Sequence, residues 1–383
     1  MADQCSYKDN GNFVNATCTQ GGYAEYAVKV SDVAQMQLAV NLARNLNLGL
    51  VVRNTGHDYN GRSVGKGALS IWTHGLKEIK YVEKYISPTY EGPVFKLGAG
   101  VQGFELYQAA DKLGVSAVAG ICPTVGVTGG YSTGGGHLPL MQLFGVGADR
   151  IVALEVVLAR GRFATATPEV NSHLYWAMLG GGGGTFGVIA SAMAKTHRRV
   201  PVTTSSWSIM TSETVTADKL WEAFRFYLDK MPSYFTLMAL APGAYLWTMN
   251  PIFATGKTVE EYETLIKPFY DKCHVCDVQL LHWRGGEGMA CNRPVTWDNW
   301  KGSASRDQTF AAMRRVVESA GVVNMHHQRP AAQKSKHGNS AKPAVGDEES
   351  QVVIINSVGE QAAAGGAYGN EADIAEPAWQ HSF

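Results

Sequence analysis

This sequence lacks any excess of charge of one sign. Lysine and arginine number 33, aspartate and glutamate 33, and charged residues together make up 17% of 383. That balance lacks the basic footprint of a nucleic-acid or anionic-membrane partner, so no nucleic acid is expected. No apolar run approaches the roughly 20 residues that span a bilayer, so no membrane span is expected. Cysteine is sparse too: six are too few for a disulfide scaffold of this size. Cys273 and Cys276 form one CxxC, but the second pair of a zinc site is missing, so ordinary thiols and no metal are expected. The start, MADQCSYKDN, lacks the charged-then-apolar pattern of a signal peptide. On that basis the protein is either intracellular or begins after a leader. Cys5 and Cys18 bracket a polar loop where one bridge fits, and Asn15 in NAT matches a glycosylation acceptor. These are the secretory features; compartment and oligomeric state stay open.

Glycine, by contrast, is plentiful, at 43 residues. The chain around it reads as α+β. Residues 31–53 predict a helix and then a strand. Ser31 is the expected cap, Val33, Met36, Val40 and Ala43 recur near helical spacing, Gly49 marks the stop, and LVV at 50–52 is a short buried strand. ALSIW predicts a strand and FELYQAADKLG a helix closed by Gly114. RIVALEVVLARGRFATAT predicts two strands joined at ARG, SHLYWAML a short helix, and TFGVIASAMAKTHRRV a further strand. After Pro201 aromatics become frequent, among them Trp207, Trp221, Phe224, Tyr227, Trp247 and Trp283. Helices are expected near 215–230 and 258–272, a long polar loop over 325–350, and one more strand in QVVIINSV. No internal repeat is visible. The expected organisation is a first domain over 1–200, a second over 201–354, and a tail, 355–383, that returns to the first.

Two glycine motifs look like nucleotide loops and fail on context. GHDYNGRS at 56–63 nearly matches a P-loop, with Arg62 in the lysine's place, but a strand pattern follows where a P-loop opens a helix. Gly182-x-Gly184-x-x-Gly187 matches the dinucleotide fingerprint, yet a helix precedes it and a strand follows, the reverse of the required order. What remains is three glycine-rich loops, at 54–67, 120–136 and 180–187. Glycine lets backbone N–H groups approach a ligand closely, and rows of such groups bind anions. Three such loops in one domain imply a large phosphate-bearing cofactor held along its length. Two nucleophiles stand at their edges: His57 after Gly56, and Cys122 before Pro123. Taken singly, a surface histidine and a small buried thiol explain each; their shared placement raises attachment of the cofactor as the alternative.

VVRNTGHDYNGRS, GICPTVGVTGGYSTGGGH, GVGADRIVALEVV and LYWAMLGGGGGTFGVI resemble the FAD-linked oxidases of the berberine bridge enzyme-like group, within the vanillyl-alcohol oxidase (PCMH-type) superfamily. The fungal secondary-metabolism branch is nearest, including oxidoreductases of ergot-alkaloid type. The resemblance covers most of 20–200 and returns in GGAYGNEADIAEPAWQHSF. It implies an α+β, two-domain PCMH-type FAD-binding fold with an α+β substrate domain. It also implies FAD held bicovalently, through His57 and Cys122. The cofactor-binding positions it implies are Arg53, Asn54, Thr55, Gly56, Asp58, Tyr59, Gly61 and Ser63 in the first loop. In the second they are Pro123, Thr124, Val125, Gly126, Gly129, Gly130, Tyr131, Ser132, Gly135, Gly136 and His137. The third contributes Gly187, Val188 and Ile189. Val125 holds a gate position where a small residue goes with oxygen access, or else it simply packs.

The resemblance places the catalytic base in the tail, three positions after a tyrosine. Here that is Glu371 after Tyr368, with Tyr368 assisting or packing, and a solvated loop glutamate as the competing reading. The implied reaction is two-electron oxidation of a small organic substrate, with reoxidation by oxygen to hydrogen peroxide. The alternatives are a non-redox cyclase or isomerase with a flavin scaffold, and a truncated, inactive member. The sequence departs from the family at Leu179 (usually arginine), at ARG over 159–161 (usually ADG), over 284–350, and in stopping at Phe383 before the family's closing segment.

Overall fold

The computed structural model describes residues 20–58, 60–138, 140–230, 235–275, 292–293, 303–318, 322–326 and 352–356. Tyr59, Tyr368, Glu371, Cys276 and the Cys5, Cys18 and Asn15 trio lie outside these. One compact unit takes in the described residues up to Leu138 and Phe144–Arg199, and a second takes in the rest.

The first unit begins with three short parallel strands, β1 (Tyr26–Lys29), β2 (Leu50–Arg53) and β3 (Leu69–Trp72), in the order β1-β3-β2. Helix α1 (Val33–Asn45) joins β1 to β2. Its cap is Asp32, which accepts from the Gln35 N–H at 2.9 Å, and not the expected Ser31. The Ser31 hydroxyl instead turns to the Gln35 side chain. The helix also stops earlier than Gly49: Asn47 takes the left-handed conformation (φ 51°) and the Leu48 N–H returns to Ala43 O. Asparagine tolerates that region because its short polar side chain bonds locally.

A five-stranded antiparallel sheet follows, ordered β4-β5-β9-β7-β8: β4 (Ile79–Ser87), β5 (Tyr90–Gly98), β7 (Ile151–Val157), β8 (Phe163–Ala166) and β9 (Val188–Lys195). Helix α2 (Gly103–Lys112) packs Leu106 and Ala110 into its core, and β6 (Val115–Ser116) pairs with β10 (His197–Arg198). Met36, Ala39 and Val40 of α1 meet Ile71 of β3 and Val157, Val188 and Ala190 of the large sheet in one cluster. The two sheets are thereby fixed to each other, and so are the loops that leave their ends.

The second unit is a six-stranded antiparallel sheet, ordered β11-β13-β12-β15-β16-β14. Its strands are β11 (Val202–Met210), β12 (Phe235–Ala241), β13 (Ala244–Thr255), β14 (Asn292–Arg293), β15 (Val322–His326) and β16 (Val352–Asn356). Helices Ala217–Lys230, Val259–Val275 and Ser303–Glu318 accompany it. Its aromatics are core: Trp207, Trp221, Phe224, Tyr227, Trp247 and Phe269 are buried together, mostly edge to face. Burial of each phenylalanine contributes about 1.5–3 kcal/mol, while the Trp207, Trp221 and Trp247 indole N–H groups, buried without a hydrogen-bond partner among the described residues, offset part of what their rings gain.

One buried group sets an acid limit on the first unit. The His197 ring lies flat on Phe144, with centroids 3.8 Å apart. Burial first, then Arg150 and Lys195, push its pKa down from 6.5 to about 4. The unfolded chain therefore binds the proton more readily, so the stability owed to the neutral ring is complete above about pH 6.5 and is lost as pH falls toward 4. Thermal unfolding followed across that window should show wild type losing more stability than His197→Phe, which keeps the stack and removes the titration. Parallel losses in the two proteins would contradict this.

Candidate functional site

The three glycine-rich loops converge. The first leaves β2 pinned at its base: Trp72 Nε1 donates to Asn54 O (2.9 Å), Thr73 Oγ1 to Arg53 O (3.3 Å), and Asn54 Nδ2 to Ala99 O (2.6 Å). Gly56 turns the chain with φ +86°. Further along, Asp58 accepts from the Arg62 N–H (2.7 Å) and Nε (2.8 Å) and so fixes that guanidinium. As the sequence context required, a strand and not a helix follows this loop, and the 182–187 glycines also lead into a strand, β9.

The second loop is held at its start by Tyr107, whose hydroxyl donates to Ala119 O (2.6 Å) and Gly120 O (2.9 Å). Burial pushes that phenol up to about 12, so it remains a donor at neutral pH. Cys122 to Val125 form a tight turn, with the Val125 N–H donating to Cys122 O. The first N–H groups of α2, from Gly103 and Phe104, donate to Val125 O and Pro123 O. The turn thus satisfies helix donors that would otherwise be unpaired. Gly126 is needed for closeness: a Cβ there would lie 2.0 Å from Asn54 Nδ2. From Val127 to Tyr131 the chain makes a wide turn that breaks at Gly129. The Tyr131 ring sits against Gly120, Gly136 and Gly147, and its hydroxyl donates to His137 O at 3.2 Å. The third loop docks on the second. Gly180 and Gly182 N–H groups donate to Thr133 O, and a Cβ on Gly183 would lie 2.9 Å from Gly130 Cα. Arg62 of the first loop comes within 3.2 Å of the Cβ position of Gly182.

Two cavities border this junction. One, of about 270 Å³, is lined by Arg53, Asn54, Thr55, His57, Trp72, His74, Gln102 and Thr124. The other, of about 450 Å³, is lined by Val52, Arg62, Val157, Gly183–Val188 and neighbours. The first loop runs from one to the other, which suits an elongated ligand. Thr128 Oγ1 and Ser132 Oγ are buried here with no hydrogen-bond partner among the described residues, hydroxyl donors that a phosphate-bearing ligand would use, and Asn54 Oδ1 is a buried acceptor in the same state. Val188 and Ile189 are buried strand residues, opposite Val157 and Val156; Ile189 is core, while Val188 also borders the larger cavity.

The two nucleophiles meet at one hydroxyl. His57 Nε2 lies 2.8 Å from Thr124 Oγ1, and Cys122 Sγ lies 3.7 Å from the same oxygen. His57 and Thr124 are exposed and Cys122 is half-buried with a free thiol. Several cavity residues escaped the sequence reading. Trp72 and His74 stand at the end of β3, stacked 5.9 Å apart, where polar and aromatic residues directly after an apolar strand were the available signal. His74 is held below the ordinary histidine pKa by burial and then by Lys77. Gln102, whose Nε2 donates to Thr124 O at 2.9 Å, carried no local signal. Among the described residues no group of three or more His, Cys, Asp or Glu is arranged to hold a metal ion, and no helix is long and apolar enough to cross a membrane.

Residues 24–167 match the FAD binding domain family. The FAD-linked oxidoreductase sthB of Phaeosphaeria nodorum is 41% identical over 256 residues, covering 66% of this chain and 81% of that protein. The bifunctional decalin synthase calF of Penicillium decumbens is 34% identical over 326 residues, 80% of this chain and 56% of that one. Among solved structures, the VAO-type flavoprotein MtVAO615 from Myceliophthora thermophila C1 has a TM-score of 0.79 at 30% identity, over 95% of this chain and 75% of that one. The chain spans only 32% to 46% of the length of three other fungal relatives. Identity at this level over four-fifths of a relative, together with three converging glycine loops, makes the chain a member of the FAD-linked oxidoreductases, on the α+β two-domain PCMH-type FAD-binding fold.

Proposed function

We propose that this chain holds FAD along its three glycine loops, tethers it at His57 and Cys122, and oxidises a small organic substrate. The observation that carries the tethering is the meeting of those two side chains, 65 positions apart, at the Thr124 hydroxyl. His57 engages Thr124 through Nε2, which leaves Nδ1 as the ring nitrogen for attachment. Held there, FAD would supply the hydride acceptor for substrate oxidation and the route of the electrons to oxygen, with hydrogen peroxide as by-product. The chain's own groups position and deprotonate. The first loop and the N–H groups of the glycine runs would hold the phosphates, Val125 would govern oxygen access, and Glu371, aided by Tyr368, would take the substrate proton. Residues 201–354 supply the substrate side and 355–383 return to the flavin side. The fungal relatives are named FAD-linked oxidoreductases, which supports the redox class; a secondary metabolite, alkaloids included, is the substrate class carried over from the sequence resemblance.

The decalin synthase relative favours a second reading, a cyclase that keeps flavin as scaffold. Anaerobic mixing with a turned-over compound separates the two. The oxidase reading expects the yellow colour to bleach, return with air, and leave one hydrogen peroxide per product. Product formed without bleaching would replace it with the cyclase reading.

A further inference from the structure

We infer that Thr124 is a proton relay between Cys122 and His57, a positioning residue that readies both side chains for attachment. The inference rests on the tethering reading and deepens it. Its starting point is geometry: one hydroxyl lies 2.8 Å from an imidazole nitrogen and 3.7 Å from a thiol sulfur. A threonine hydroxyl donates one proton and accepts others at once, so it links the two groups in a chain. In one direction the thiol donates to Oγ1 while the hydroxyl donates to His57 Nε2. Reversal moves the thiol proton to Oγ1 and the hydroxyl proton to Nε2. The products are a Cys122 thiolate and a His57 imidazolium, with no net proton gained or lost. Release of the Nδ1 proton to water then leaves Nδ1 with a lone pair. The thiolate, and not the thiol, is the nucleophilic form of cysteine. Transfer through Thr124, followed by that release from Nδ1, therefore readies both nucleophiles.

The surroundings hold that arrangement. Thr124 O accepts from Gln102 Nε2 (2.9 Å), Gln102 Oε1 accepts from Lys77 Nζ (3.2 Å), and Lys77 pairs with Glu105 (2.7 Å), which also caps the Gln102 N–H (2.8 Å). The turn closed by Val125 N–H on Cys122 O sets the sulfur two residues from the hydroxyl, on the same side. Branching at Cβ further restricts the threonine rotamer. The cavity lined by His57 and Thr124 also carries the Arg53 guanidinium and no carboxylate.

The test uses the full chain as isolated, with flavin occupancy at Cys122 and at His57 read separately by peptide mass spectrometry. Thr124→Val keeps the shape and removes the hydroxyl; Thr124→Ser keeps the hydroxyl. Occupancy at Cys122 should fall sharply in Thr124→Val and recover in Thr124→Ser, while far-ultraviolet circular dichroism stays that of wild type. Alkylation of Cys122 by iodoacetamide in flavin-depleted protein should slow by roughly a hundredfold in Thr124→Val and not in Thr124→Ser, the lower end of what a lost proton-transfer partner costs. If Thr124→Val is insoluble, Thr124→Ala against Thr124→Ser makes the same comparison. Wild-type protein without flavin at either residue would end the tethering reading, and the alkylation rates would still judge the relay. Equal occupancy and equal alkylation in wild type and Thr124→Val, or loss in Thr124→Ser as deep as in Thr124→Val, would overturn it.

Discussion

Changing His57 and Cys122 together to alanine is expected to remove all acid-stable flavin from the protein. Wild type precipitated with acid should carry its yellow colour into the pellet; the double variant should leave it in the supernatant. The single variants divide the two bonds. Cys122→Ala should keep flavin in the pellet through His57, and His57→Ala should keep less than wild type through Cys122, because the thiol loses the partner that it reaches through Thr124. Without a tether, retention becomes an equilibrium. A ligand at a hundredfold excess over its Kd stabilises the folded protein by about 2.7 kcal/mol, and dilution removes that support. The double variant should therefore shed flavin on gel filtration and melt at a temperature that depends on added FAD. Acid release of all flavin from wild type would defeat the prediction, as would a double variant that pellets coloured.

Much of the first unit is legible in its sequence because its elements are local. The spacing of Val33, Met36, Val40 and Ala43 places α1; Met36, Val40 and Ala43 are buried together with Ala39, while Val33 is half-buried. Gly114 closes α2 with φ +66°, and Gly161 turns β7 into β8 with φ +73°. The small errors are also local: Asp32 outcompetes Ser31 as cap by one position, and Asn47 substitutes for a glycine stop. The aromatics after Pro201 are frequent because a six-stranded sheet needs a core, which composition alone does not distinguish from a substrate pocket. The site is different in kind. His57 and Cys122 draw notice as nucleophiles beside glycines, but their common partner is 67 residues from His57. Gln102 and His74 act only once α2 and the turn after β3 have come together. Leu179, which stands where the family has arginine, is core here, exposed by 1%.

The second large effect lies at a glycine outside the three glycine-rich loops. Gly100→Ala should destabilise the protein more than any change at a glycine that merely turns. A Cβ at Gly100 would lie 2.3 Å from His74 O and 2.8 Å from Thr73 O. Both are backbone atoms of the turn between β3 and β4, and that turn is bonded to this very segment: the Gly100 N–H donates to Leu76 O at 2.9 Å. No side chain can swing aside, so the turn itself must move. Overpacking costs about 1–3 kcal/mol and occasionally more, and a clash with backbone at 2.3 Å, which no rotamer change relieves, belongs at the upper end. The displacement carries Trp72 and His74, two walls of the cavity beside His57, and strains Asn54 through its bond to the adjacent Ala99 O. Gly67→Ala is the control: its φ is +74° and nothing lies within 4 Å of the new Cβ, so it pays only the left-handed backbone penalty, about 1–2 kcal/mol. Urea unfolding should place Gly100→Ala below Gly67→Ala in midpoint, and FAD retention should fall in Gly100→Ala alone. Equal midpoints with equal retention would mean that the close approach of Gly100 to the His74 carbonyl is not what holds the cavity wall in place.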